Sequence, residues 1–150
     1  MNCNRRRLHL CLVFLATSCL LLFSSGTLAV GSPFAKQVGR IGREFKLQVG
    51  KQVTVKGSKL KIKFVGVDND SRCPSDVTCV WGGNAAVRFQ LGTGSRSKTV
   101  TLNTSKASSF ISEVTFQGYR VQLTELSPYP RSDRKIEKRD YVTTLLVSKE

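Results

Sequence analysis

From Lys59 to Phe64 the chain alternates lysine and apolar residues one by one (KLKIKF), and the run continues through Val65-Gly66-Val67. A period of two sends successive side chains to opposite faces of an extended backbone, so this stretch reads as a strand with one buried and one wet face. Shorter runs of the same kind stand at 45–49 (FKLQV), 52–56 (QVTVK), 86–91 (AVRFQL), 98–102 (KTVTL), 118–126 (GYRVQLTEL) and 141–147 (YVTTLLV). Turn formers separate them: Gly50-Lys51, Gly57-Ser58 and the hairpin signal Gly92-Thr93-Gly94-Ser95. That glycine pair is no phosphate cradle, because a dinucleotide fingerprint needs a helix after the turn and a strand follows here. No stretch carries the spacing of an amphipathic helix. The expected fold class is all-β, a single small antiparallel sandwich or barrel of about seven strands.

The first residues do not belong to that pattern. Arg5-Arg6-Arg7 precede an apolar run from Leu8 to Phe23, and a small-residue zone, Ser24 to Ser32, follows it. Basic, apolar and small regions in that order form a secretory signal peptide. We assign it to residues 1–29, with Thr27 and Ala29 at the −3 and −1 positions of the cut; a cut after Gly31 also fits. The rival is a retained anchor, since Leu8 to Val30 approaches the roughly 20 apolar residues that span a bilayer. A lipid attachment at Cys19 is disfavoured because Leu20-Leu21-Leu22-Phe23 would be left at the new terminus. Residues 30–43, with Lys36, Arg40 and Arg43 and no acid, read as a basic linker, and 44–150 as the β-domain. The expected location is exported, periplasmic or extracellular, with membrane tethering as the variant.

Removing the leader changes what chemistry is on offer. It takes Cys3, Cys11 and Cys19 of the five cysteines, and it takes His9, the only histidine. Without histidine, the remainder cannot build a Ser-His-Asp or Cys-His nucleophile system or a His-bearing zinc site, and two cysteines alone cannot hold structural zinc. Neither a metal nor another cofactor is expected. The leader holds three of the 24 Lys and Arg and none of the 10 Asp and Glu, so the remainder carries +11. Such a charge favours anionic partners.

The two cysteines left, Cys73 and Cys79, enclose five residues and suit one structural disulfide in an oxidising compartment. A redox pair is the sharper alternative, but catalytic dithiols favour a two-residue spacing at a helix start. Trp81, the only tryptophan, is expected to pack on the disulfide or the core; an exposed Trp81 would instead mark a stacking site. Asp68, Asp70 and Asp76 suggest calcium, yet Arg72 stands where an oxygen donor is needed and the loop glycine is missing. Pairing of Arg72 with an Asp, and Asx-turn bonding by Asn69, accounts for the same residues.

This stretch, Asp70-Ser71-Arg72-Cys73-Pro74 followed by Cys79-Val80-Trp81-Gly82-Gly83, resembles the signature of an uncharacterised family of small exported bacterial proteins. Tyr119-Arg120-Val121-Gln122-Leu123, Pro128-Tyr129-Pro130 and Asp140-Tyr141-Val142 are similar to that family's C-terminal half. The resemblance spans roughly residues 45 to 148. It implies a bacterial envelope address and no particular activity. It therefore argues against use of Asn69-Asp70-Ser71 and Asn103-Thr104-Ser105 as glycosylation sites.

Alternation also sorts the charges. With Phe45, Leu47, Val49, Val53, Val55, Leu60, Ile62 and Phe64 inward, Lys46, Lys56, Lys59, Lys61 and Lys63 face outward, as do Arg88 and Arg120 on later strands. If the first three strands are neighbours, these residues make one cationic face for anion binding. The bland alternative is that lysines on wet and edge strands deter aggregation. No aromatic interleaves with them, so sequence-specific nucleic acid is not an expected partner. The expected partners are anionic polysaccharide, lipid headgroups or an envelope protein, met through the basic face or the long 127–140 connection. The leading expectation is thus a non-enzymatic exported binding domain. A carboxylate-dependent polysaccharide hydrolase, drawing on Glu125, Asp133, Glu137 or Asp140, and a purely structural envelope protein are the alternatives.

Overall fold

The computed structural model describes residues 38–150. The expected signal peptide at 1–29 and the first part of the expected linker, 30–37, lie outside the described residues. The strands are β1 Phe45–Gln48, β2 Gln52–Thr54, β3 Leu60–Asp70, β4 Ala85–Thr93, β5 Arg96–Asn103, β6 Glu113–Phe116, β7 Tyr119–Ser127 and β8 Val142–Lys149. They form two antiparallel four-stranded sheets, ordered β1-β8-β7-β6 and β2-β3-β4-β5. The expected all-β sandwich is therefore what the chain builds, as two open sheets and not a closed barrel. The strand beyond the expected seven is β6, whose Phe116 is buried and whose Val114 packs against the core.

The period-two pattern explains the core. Phe45, Leu47, Val53, Val55, Leu60, Ile62 and Phe64 are all buried, and they meet Val87, Phe89, Leu91, Val121, Leu123, Leu145 and Val147 from the later strands. Phe64 and Phe89 are cross-strand partners with ring centroids 5.5 Å apart. Burying side chains of this size stabilises by ~1.5–3 kcal/mol each. The alternation holds through Val65, which faces outward with Lys61 and Lys63, and then breaks at two register shifts in the β3–β4 ladder, Phe64/Gly66 and Val67/Asn69. Extra residues of this kind bend and twist a strand. Here β3 continues to Asp70, so Asp68 and Asp70 lie on a strand and not in a loop beginning at residue 68.

The sheets are sewn together by short segments. β1 and β2 follow one another but belong to different sheets, and the turn between them donates from Val49 N to Tyr141 O (3.0 Å) and from Gly50 N to Phe64 O (2.7 Å). The last residues of the stretch expected to be a basic linker are docked on the domain. Lys56 N donates to Gly39 O (2.8 Å) beside β2, Gly42 N donates to Val147 O (2.7 Å) on β8, and Ile41 packs on the core between them. Gly39 lies against the Phe45 ring, where a β-carbon would come within 3.0 Å.

Candidate binding site at the disulfide-clipped loop

The β3–β4 ladder does not stop at Asp70. Ser71 N donates to Asn84 O (2.8 Å) and Cys73 N to Gly82 O (3.0 Å), so residues 74–81 are the tip of one long hairpin. Cys73 and Cys79 close that tip as a disulfide with Cα atoms 5.9 Å apart, within the usual range. The closing strand needs glycine. Gly83 has φ +72°, and a β-carbon there would overlap the Ser71 carbonyl oxygen.

Beneath the tip sits Arg72, a charged residue with 4% of its side chain exposed. Its Nε and NH2 donate to the two Asp70 carboxylate oxygens at 2.8 and 2.7 Å. NH1 donates to Leu126 O, and NH2 also donates to Pro128 O at 2.9 Å. Its remaining face lies 5.0 Å from the centroid of the Tyr129 ring. Tyr141 OH donates to Asp70 Oδ2 at 3.0 Å. A buried ion is stable only when its charge and its hydrogen-bonding groups are met together, and here both are. Burial would raise the Asp70 carboxyl, but hydrogen bonds and charge from Arg72, with the Tyr141 bond, hold it below its ordinary value. Burial, then the Asp70 charge and hydrogen bond, push the Tyr141 phenol up to about 12. The ion pair that sequence reasoning weighed against calcium is thus present, and it also fastens the β3–β4 hairpin to β7 of the other sheet.

The tip itself is fastened to the β7–β8 connection. Ser75 N donates to Pro130 O (2.9 Å), while Ser132 donates to Asp76 through its N (2.9 Å) and its Oγ. With its base so held, the tip turns its apolar residues outward: Trp81 is 65% exposed, Val80 fully and Val77 about half. This corrects the expectation that Trp81 packs on the disulfide or the core. Scattered exposed aliphatic residues are ordinary, but a tryptophan on an anchored loop is informative. Behind Gly82 and Gly83 runs a groove of about 350 Å³, lined further by Arg72, Thr104, Ser105, Thr124, Glu125, Leu126 and Tyr129.

The sequence-predicted cations fall in four places. Lys61 and Lys63 lie on the outer face of β3, opposite Thr54 and Gln52 of β2, and Lys63 also faces Gln90 of β4. Lys56 and Lys59 flank the β2–β3 turn. Arg88, on β4, pairs with Asp68 at 2.9 Å. Lys46 and Arg120 belong to the other sheet, where Arg120 pairs with Glu113 (3.5 Å) and Glu150 (3.7 Å). The single cationic face required β1 beside β2, and that adjacency is not formed. The lysines Lys46, Lys56, Lys59, Lys61 and Lys63 make no ion pair among the described residues. The three aspartates considered for calcium also part ways: Asp68 meets Arg88, Asp70 meets Arg72, and Asp76 meets Ser132. Of the four carboxylates considered for hydrolysis, Glu125 alone lines the groove, while Asp133 pairs with Arg131 (3.0 Å).

Sequence reasoning missed the groove and Tyr129's place on Arg72. The signal available was Arg72 standing two residues after Asp70 and directly before Cys73. No family model, curated protein or solved structure matches this chain at a significant level.

Proposed function

We propose that this protein is an exported, non-enzymatic binding domain that holds a component of the bacterial envelope through its disulfide-clipped loop. The observation that carries the reading is the exposure of Trp81 on a loop fixed from below by buried Arg72. Ordering a recognition loop in advance lowers the entropy cost of binding, and a tryptophan supplies much contact area for few rotatable bonds. The unpaired lysines on β3 act at longer range, raising the local concentration of anionic envelope polymers in a salt-dependent way.

Cosedimentation with isolated envelope fragments tests this at low and high salt. The wild-type protein is retained at both. Trp81→Ala abolishes retention at both, with folding stability unchanged to within ~0.5 kcal/mol because the side chain is exposed. Lys61→Glu with Lys63→Glu weakens retention at low salt only. Retention unaffected by Trp81→Ala would overturn the reading.

A further inference from the structure

The groove behind the clipped loop has the chemistry of a sugar site. Four of its lining residues, Thr104, Ser105, Thr124 and Tyr129, carry hydroxyls, and the first three have hydrogen-bonding capacity to spare. Thr104 Oγ1 accepts from Ala85 N (2.9 Å) and Ser105 Oγ from Ala107 N (3.3 Å), so each keeps its own proton to donate. Thr124 Oγ1 donates to Thr144 O (3.2 Å) and keeps its lone pairs. Glu125 accepts from Ser127 Oγ (3.1 Å) and Thr144 Oγ1 (3.3 Å), which sets its carboxylate at the groove while leaving further lone pairs. Tyr129, 54% exposed, adds an aromatic surface. Hydroxyl donors and acceptors side by side with an aromatic ring complement a pyranose, whose hydroxyls both give and take hydrogen bonds and whose C–H face is apolar.

Charge narrows the class. Among the described residues Arg72 is the one cation lining the groove, and four of its five guanidinium N–H groups go to Asp70 and two carbonyls. The carboxylate of Glu125 remains, and it disfavours an acidic sugar at this spot. One carboxylate also binds without cleaving, because glycoside hydrolysis uses a flanking pair. About 350 Å³ is at the small end of the ~300–1,000 Å³ range of ligand sites, fitting a short stretch of a longer chain.

We propose that this groove binds neutral hexopyranose units of an envelope polysaccharide, next to the Trp81 tip; the inference rests on the binding reading above and gives it a ligand class. The test titrates the protein with cellotetraose, chitotetraose and tetragalacturonate, following amide resonances and Trp81 emission. A neutral tetramer should shift the amides of Thr104, Ser105 and Thr124. Tyr129→Ala should weaken that binding by about tenfold, as should Thr124→Val, which leaves the Arg72 stack in place. Tyr129→Phe should bind like wild type. Binding of tetragalacturonate alone, no shifts at the groove with either neutral tetramer, or indifference to both Tyr129→Ala and Thr124→Val would overturn the inference. If envelope retention still depends on Trp81 in those cases, the groove assignment fails and the binding reading survives. Retention independent of Trp81 removes the reading itself.

Discussion

Arg72 concentrates the energetics of the loop in one side chain. Its guanidinium meets a carboxylate, two backbone carbonyls and an aromatic face while nearly excluded from water. Removing one partner of such a pair strands the others, so Arg72→Ala should cost ~3–5 kcal/mol in denaturant unfolding. A loss under ~1 kcal/mol would show that water reaches the pair. The same cluster sets the pH range of the fold. Asp70 titrates below its ordinary 3.8 in the folded state, so the stability it contributes is complete above that value and is lost as pH falls through the lowered one. Tyr141 runs the other way. Its stabilised phenol contributes below the ordinary 10.0, and that contribution disappears as pH rises through about 12. Unfolding measured across pH should therefore show an acid limb that Asp70→Asn flattens and an alkaline limb that Tyr141→Phe flattens. Limbs unchanged in these variants would place the titrating groups elsewhere.

At the level of elements, the clipped hairpin tip has three separate fastenings: the disulfide, the bonds to Pro130 and Ser132, and Arg72 beneath. Cutting the first should cost about 2 kcal/mol for so small a ring. Because the others remain, reduction should speed amide exchange in residues 74–81 and leave Val87 and Phe89 of β4 protected. Loss of protection throughout β4 would mean that the disulfide holds the sheet and not only its tip. Much of this architecture was legible in the chain. Alternation named seven of the strands and their inward residues, because burial of one face imposes the period directly. Val49 is the one residue among the eight expected inward that is only partly buried, at the turn after β1. Alternation says which way a side chain points and nothing about which strand lies alongside. Alternation therefore groups Lys46 with Lys61 and Lys63, whereas the turn at 49–51 carries the chain into another sheet. β6 was missed because four residues beside a Ser/Thr-rich stretch give too short a pattern. The size of Trp81 favours burial, and the contacts that set the tip it stands on, to Leu126, Pro130 and Ser132, come from residues far away in sequence.

Across the described domain, stability comes from two sheets closed on one core and from the seams between them. One seam is the Asp70-Arg72-Tyr141 cluster joining β3 to β7 and β8. A second is the 39–43 segment, bonded to Val147 of β8 and to Lys56 just past β2, and a third is the 49–51 turn. Among the described residues no further strand pairs with the edges β1, β2, β5 and β6, and lysine and arginine on them (Lys46, Arg96, Lys98) suit the task of discouraging sheet-to-sheet aggregation. The second seam bears on proteolysis. Arg40 and Arg43 are exposed and would look like open trypsin sites, but a protease needs the backbone around its target bond free to enter the cleft. Brief trypsin treatment should therefore yield a core that keeps both arginines, whatever nicks occur between residues 131 and 139; a core beginning at Ile41 or Glu44 by mass spectrometry would refute this. Among the described residues, the first backbone bond a trimming enzyme would have to break is the one that Gly39 O accepts from Lys56 N.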